Sequence, residues 1–217
     1  MTVLIFTGGK IFADSINELS LGLSSGQLII AADSGYNNAR RLGVVPDLLL
    51  GDLDSIDRSD LKPHELDHLE KIIVPAIKDD TDTQLAVDTA IERGADNIII
   101  IGGLGGRIDH TLSTVFLLEY IAKKNVRALI TDGRNRVRLM RADGVLTSMS
   151  VEPGFKYLSL VSLTDTCENV SISGVFYPLD NTTLERSYSY AVSNEITADH
   201  AGISLRKGSL LVIESRD

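Results

Sequence analysis

The chain has 217 residues, 43% hydrophobic and 24% charged, which suits one large domain or two small ones with a proper core and excludes wholesale disorder. A formal net charge of -9 argues against broad contact with nucleic acid or an anionic membrane, since both need a dense cationic surface. Cys167 is the only cysteine, so no intrachain disulfide can form, and a reducing compartment fits best.

Met1–Phe6 leads straight into a strand-like stretch rather than a charged n-region and apolar h-region, and no apolar run approaches the roughly 20 residues of a membrane span. The expected location is therefore cytoplasmic. From Thr2 to about Asp132, short aliphatic runs alternate with loops and helical stretches. The runs are Val3–Phe6, Leu28–Ala32, Leu48–Leu50, Ile72–Ile77, Ile98–Ile101 and Ala128–Ile130. Continuous runs of this length suit strands covered on both faces. The helical candidates are Ile16–Leu21, Tyr36–Leu42, Asp82–Arg93 and Leu112–Lys124. Thr81 with Gln84 forms a capping signature for the third of these, and Arg93-Gly94 closes it. Strand alternating with helix implies an α/β domain with a mostly parallel sheet over residues 1–133.

After Arg134 the pattern changes. Six of the eleven aromatic residues lie there, and Asp143-Gly144, Pro153-Gly154, Asp180-Asn181 and Lys207-Gly208 read as turns. Val137–Arg141, Tyr157–Leu163, Val170–Ser173 and Ser209–Ile213 read as strands. Residues 134–217 are expected to form an all-β, sandwich-like second domain.

In a parallel α/β sheet, ligands bind beyond the carboxyl ends of the strands. Four unusual segments fall there. Asp33 follows the second strand in A-D-S-G; alone it would be read as a helix cap. Asp52 and Asp54 follow the third strand, and carboxylates at i and i+2 in an extended loop can face one hard cation. Asp79-Asp80-Thr81-Asp82 follows the fourth strand and opens a helix, where acids suit the helix dipole. Carboxylates at three consecutive strand ends would repel one another unless a cation, most simply Mg²⁺, lies between them. Gly102–Gly106, with Arg107 and then Asp109-His110, follows the fifth strand. Its glycines let backbone N–H groups approach phosphate, and Arg107 adds a fork-shaped cation. It has neither a P-loop G-K-[ST] nor G-x-G-x-x-G spacing. His110 reads equally as a general base or as a locally bonded helix-start histidine.

Taken in order, A-D-S-G, P-D-L-L-L-G-D-L-D-S-I, K-D-D-T-D-T-Q-L-A and G-G-L-G-G-R-I-D-H-T resemble the bacterial thiamine pyrophosphokinases. The later G-V-F-Y-P-L-D, Ser193-Asn194 and G-S-L-L-V-I agree, so the resemblance spans about Thr2 to Ile213. It implies an α/β nucleotide domain, a β-sandwich that binds thiamine, and a homodimer whose sites pair one subunit's α/β domain with the other's sandwich. It further implies attack of thiamine's hydroxyl on the β-phosphorus of ATP, with AMP as by-product. By motif, Asp52, Asp54 and Asp82 are the implied Mg²⁺ ligands, with Asp33 and Asp79 as supporting acids. Thr81, Gly105, Gly106, Arg107 and Asp109 line the implied nucleotide and phosphate path, Ser193 and Asn194 the thiamine site, and Asp79 or Asp109 is the candidate base. The chain departs from the pattern in having no tryptophan, which leaves Tyr177 or Tyr188 as the aromatic face, and in a glycine-poor Arg186–Ala191. Competing readings are another Mg²⁺-dependent, nucleotide-using D-x-D transferase and a non-catalytic ATP-sensing dimer.

Overall fold

The computed structural model describes residues 1–18, 27–51, 69–73 and 80–217. The chain divides into two compact units, Met1–Gly133 and Arg134–Asp217.

The first unit carries β1 (Thr2–Phe6), α1 (Ala13–Glu18), β2 (Leu28–Ala32), α2 (Gly35–Arg41), β3 (Leu48–Gly51), β4 (Glu70–Ile73), α3 (Asp82–Glu92), β5 (Asn97–Ile101), α4 (Ile108–Lys123) and β6 (Arg127–Thr131). Its strands pair in parallel in the order β4-β3-β2-β1-β5-β6. The central position of β1 and β5 follows from their composition. Val3, Leu4, Ile5 and Phe6 are fully buried, as are Ile98, Ile100 and Ile101. Each such side chain contributes roughly 1.5–3 kcal/mol on leaving water, so these two strands belong where both faces are covered. At the edge, β4 exposes Glu70 and Lys71, charges that discourage further pairing. Arg93, at the end of α3, pairs with Glu70 and ties that helix to the edge.

Thr81 caps α3 as expected, its Oγ1 accepting from the Gln84 N–H at 3.2 Å. Gln84 does not return to complete the box. Its Nε2 donates instead to Asp88 Oδ2 at 2.9 Å, and Asp88 Oδ1 accepts from the Tyr120 hydroxyl at 2.7 Å, which joins α3 to α4. Two helix boundaries differ from expectation. The first helix begins at Ala13, three residues early, with residues 19–21 of the expected stretch outside the described residues, and α4 begins at Ile108, four residues early. The fourth strand begins at Glu70 rather than Ile72, and residues 74–77 of the expected run lie outside the described residues.

The second unit is antiparallel: β7 (Asn135–Val151), β8 (Tyr157–Ser162), β9 (Thr166–Ser173), β10 (Leu179–Glu185) and β11 (Ala201–Ser215). The order runs β10-β9-β11-β7, with β8 also on β11. Three of the four turn signals were misread. Asp143-Gly144 lies within β7 and Lys207-Gly208 within β11. The two long strands stay paired past them, with Lys207 opposite Asp143 and a register shift between Leu205 and Lys207. Asp180-Asn181 likewise lies inside β10, where the register against β9 shifts. Glycine and asparagine at positive φ are the signature of a bulge as much as of a turn. The bulge in β11 lets the strand change partners, from β9 over Gly202–Lys207 to β8 over Leu210–Ser215. Ile203, Leu205, Leu210 and Val212 thereby face one core with Leu158, Leu160, Cys167, Val170 and Ile172, which gives the sandwich-like closure. Cys167 is buried there, its Sγ donating to the Ser209 carbonyl, and reads as a packing residue.

At one end of this unit Glu214 is 2% exposed and accepts from Arg138 at 2.6 Å and from Arg136 at 3.4 Å. Phe155 lies beneath the guanidinium groups of Arg136 and Arg216, at 4.9 and 5.2 Å. Removing the shared carboxylate leaves two half-buried cations uncompensated. Glu214→Ala should therefore cost about 3–5 kcal/mol in a denaturant titration; a loss below about 1 kcal/mol would mean that solvent already screens the cluster.

Candidate active site

The carboxyl ends of β1, β2 and β5 and the N-termini of α3 and α4 surround a cleft of about 460 Å³ in the first unit. It is lined by the Thr7–Lys10 turn, by Asp33 and Ser34, by Asp80–Thr83, and by the glycine turn from Gly102 to Arg107.

Asp33 sits at the end of β2 with φ +48°, a left-handed conformation that an aspartate rarely adopts. The backbone is held there by its N–H, which donates to the Leu50 carbonyl at 2.7 Å, and by its carbonyl, which accepts from the Tyr36 N–H at 3.1 Å. Its Oδ1 is buried and has no hydrogen-bond partner among the described residues. The helix-cap alternative for Asp33 is not what forms, since Ser34 occupies the N-cap position of α2 without a side-chain cap bond. A buried carboxylate oxygen left without a cation or donor costs about 1–3 kcal/mol.

Asp80 and Asp82 enter the cleft from the start of α3, on either side of the capping Thr81. Asp52, Asp54 and Asp79 lie outside the described residues. Among the described residues no three acidic, His or Cys side chains cluster tightly enough to hold a metal by themselves. What the cleft does offer is hard oxygen donors from Asp33, Asp80 and Asp82, the ligand chemistry that suits Mg²⁺.

Gly105 and Gly106 adopt φ of +81° and +72° with open space around them. Gly102 and Gly9 have a different reason to be glycine. A Cβ on Gly9 would stand 2.1 Å from the Gly102 carbonyl oxygen, and one on Gly102 would stand 2.7 Å from that of Thr7. The turns after β1 and β5 thus touch backbone to backbone. Arg107 occupies the N-cap position of α4, a 16-residue helix, and its own side chain makes no cap bond. Its guanidinium grips Asp109 with two bonds, Nε to Oδ1 at 3.2 Å and Nη2 to Oδ2 at 2.6 Å. This pairing lowers the Asp109 carboxyl to about 2 and raises the Arg107 pKa. His110 lines the same cleft.

Ser193 and Asn194 lie in the second unit. Ser193 is exposed, with φ +56°, and its N–H donates to Ser159 Oγ at 2.9 Å. Asn194 is buried, and its amide is committed to backbone. Its Oδ1 accepts from the N–H groups of Tyr177 and Glu195, and its Nδ2 donates to the Tyr177 carbonyl at 2.7 Å. Tyr177 and Tyr188 are both exposed; Tyr177 packs edge-on against Phe176 and Tyr188 stacks with Tyr190.

Sequence reasoning missed Thr7–Lys10 and Asn38. The signal was T-G-G-K directly after the first strand, two glycines and a cation at a carboxyl strand end. It was passed over because no acid marks it.

Two family models match the chain: thiamin pyrophosphokinase, catalytic domain, over residues 20–130, and thiamin pyrophosphokinase, vitamin B1 binding domain, over residues 147–210. The chain is 28% identical over 216 residues to the thiamine pyrophosphokinase of Bacillus subtilis strain 168, covering 100% of this chain and 99% of that one. The crystal structure of Bacillus subtilis thiamine pyrophosphokinase superposes with a TM-score of 0.84 at 26% identity over the full length of both chains. That of a thiamin pyrophosphokinase family protein from Enterococcus faecalis does so with a TM-score of 0.79 at 28% identity, again over both full lengths. With a catalytic-domain match spanning half its length and a vitamin-binding match beyond it, the chain belongs to the thiamin pyrophosphokinase family.

Proposed function

We infer that this chain transfers the diphosphate of ATP to the hydroxyl of thiamine, releasing AMP, as a Mg²⁺-dependent homodimer in the cytoplasm. Membership of the family supplies the reaction. The observation that carries the reading at the residue level is the orphaned Asp33 Oδ1. It belongs to a residue that shares one cleft with Asp80, Asp82 and the glycine turn that leads into α4.

Asp82, with Asp52 and Asp54, would hold the metal, with Asp33 and Asp79 as nearby supporting acids. Mg²⁺ bound there would screen the phosphate oxygens and bring them toward an incoming hydroxyl. The protein's own part is positioning. Thr81 fixes the start of α3 and so the direction of Asp82. Gly105 and Gly106 present backbone to the phosphate path, and the first N–H groups of α4 face negative charge. Arg107 stabilises charge on the diphosphate, and Asp109 orients its fork. The pairing with Arg107 makes Asp109 a weaker base than a free carboxylate, and Asp79 is the other candidate acceptor of the hydroxyl proton. Ser193 contacts thiamine, and Asn194 holds the turn that presents it.

Incubation with ATP, Mg²⁺ and thiamine should yield thiamine diphosphate and AMP in equal amounts. Nucleotide release that follows added sugars would favour the D-x-D transferase, and ATP binding without AMP would favour a sensor. Asp82→Asn should lower kcat about 100-fold or more with thermal stability close to the parent, on the scale of a lost charge-stabilising element. Near-native turnover in that variant would remove Asp82 from the metal site.

Arg107→Lys keeps a charge but loses the two-pronged grip. The Asp109 carboxyl should then titrate above about 2, toward its ordinary 3.8, when followed by carboxyl-carbon NMR. The sign follows from pairing, which favours the ionised form. Its benefit is complete above the ordinary value and is lost as the pH falls toward about 2. An unmoved titration would mean the pair does not persist in solution.

A further inference from the structure

Given the ATP reading of this cleft, on which the inference rests, we propose that Lys10 is a further phosphate-binding residue of the nucleotide seat, presented by a turn that Asn38 locks in place.

The charge balance of the cleft raises the question. Asp33, Asp80 and Asp82 line it, and the cations beside them are Arg107 and Lys10. Arg107 is engaged by Asp109 through two bonds. Lys10 forms no ion pair among the described residues; its Nζ rests over the Phe12 ring, 4.7 Å from the centroid. Arg107 shares its charge with Asp109 even where its remaining N–H groups meet phosphate, whereas Lys10 brings a charge that no carboxylate among the described residues offsets. Its contact with a ring face is weak at an exposed position, about 0.5–1 kcal/mol, so the flexible stem can swing to a phosphate at little cost.

The turn that carries Lys10 is fixed on both sides. Asn38, buried on α2, donates from Nδ2 to the carbonyls of Thr7 and Gly9, each at 2.7 Å. Thr7 donates from its N–H and its Oγ1 to the Ile101 carbonyl, at 2.9 and 3.2 Å. Beyond Lys10, the Phe12 N–H donates to the Asp132 carbonyl at 2.8 Å. The Asn38 amide also lies under the junction with the second turn: a Cβ on Gly102 would meet its Nδ2 at 3.1 Å. One buried amide thus holds the lysine-bearing turn against the glycine turn of the phosphate path. Asn38 is a positioning residue, and Lys10 supplies the charge.

Calorimetric titration of Mg²⁺-ATP and of adenosine into the full chain tests this without requiring turnover. Lys10→Met, at an exposed position, should weaken ATP about tenfold or more, the loss of one charge-assisted hydrogen bond, and leave adenosine unchanged. Lys10→Arg should restore most of the ATP affinity. Asn38→Ala should weaken ATP in the same direction although Lys10 is intact; should it fail to fold, the Lys10 pair of variants still decides. ATP affinity within about twofold of wild type in Lys10→Met overturns the proposal, as does an equal loss for adenosine. Failure of the transferase reading has its own signature, a wild-type protein that forms no AMP with thiamine, and the titration is independent of it.

Discussion

Two glycine turns meet backbone to backbone beneath the cleft, and the geometry of the site follows from that contact. The turns leave adjacent central strands, β1 and β5, whose side chains are buried almost without exception. Neither turn can carry a side chain at the junction, because the space for a Cβ on Gly9 or Gly102 is filled by a carbonyl of the other turn. Carbonyl groups packed so closely need donors, and Asn38 supplies two bonds from one buried amide. The hydrophobic pairing of β1 with β5 supplies the energy, and the glycines with Asn38 convert it into a floor of defined shape. Acids and cations are then placed around that floor by the ends of the neighbouring elements.

The parallel sheet explains why so many of the candidate residues share one cleft. Every strand of the first unit points the same way, so every loop that follows a strand opens at the same edge. Asp33 after β2, Asp80 and Asp82 at the start of α3, and Arg107 before α4 are far apart in sequence and adjacent for that reason alone. The second unit obeys a different rule. Its strands are antiparallel and its long strands bend at bulges, so its exposed chemistry comes from turns held by side-chain to backbone bonds, as Asn194 holds Tyr177 and Glu195.

This difference also sets how much could be read from the sequence. The strands of the first unit are uninterrupted aliphatic runs, and five of the six were placed to within one or two residues, since period and composition agree there. The acids were legible because carboxylates at successive strand ends are conspicuous. Thr7–Lys10 was not, because a turn of small residues and one lysine carries no electrostatic oddity until its neighbours are known. Asn38 was invisible in principle: a polar residue on a short helix gives no hint that its amide reaches two carbonyls some thirty residues back in the chain. In the second unit, Lys207-Gly208 and Asp143-Gly144 were read as ends of strands. A left-handed glycine marks a turn or a bulge equally well, and only the partner strand decides which. Nor does the sequence show that the amide of Asn194, expected at the thiamine site with Ser193, is bonded to the backbone of its own turn.

Asp33 shows what this preorganisation costs and why it persists. A left-handed aspartate with a buried, unpartnered oxygen loses stability twice, by about 1–3 kcal/mol for the backbone and a similar amount for the orphaned acceptor. Two backbone hydrogen bonds, to Leu50 and from Tyr36, hold it there. A Cβ on Gly51 would already stand 3.2 Å from the Asp33 side chain, so the adjacent strand end leaves it little room to retreat. The side chain is therefore held in one place beside the cleft by the fold itself. With Asp80 and Asp82 beside it, the cleft is poor in positive charge for a polyphosphate alone. A divalent cation carried in with the phosphates would offset part of the negative charge, which is the role proposed for Mg²⁺.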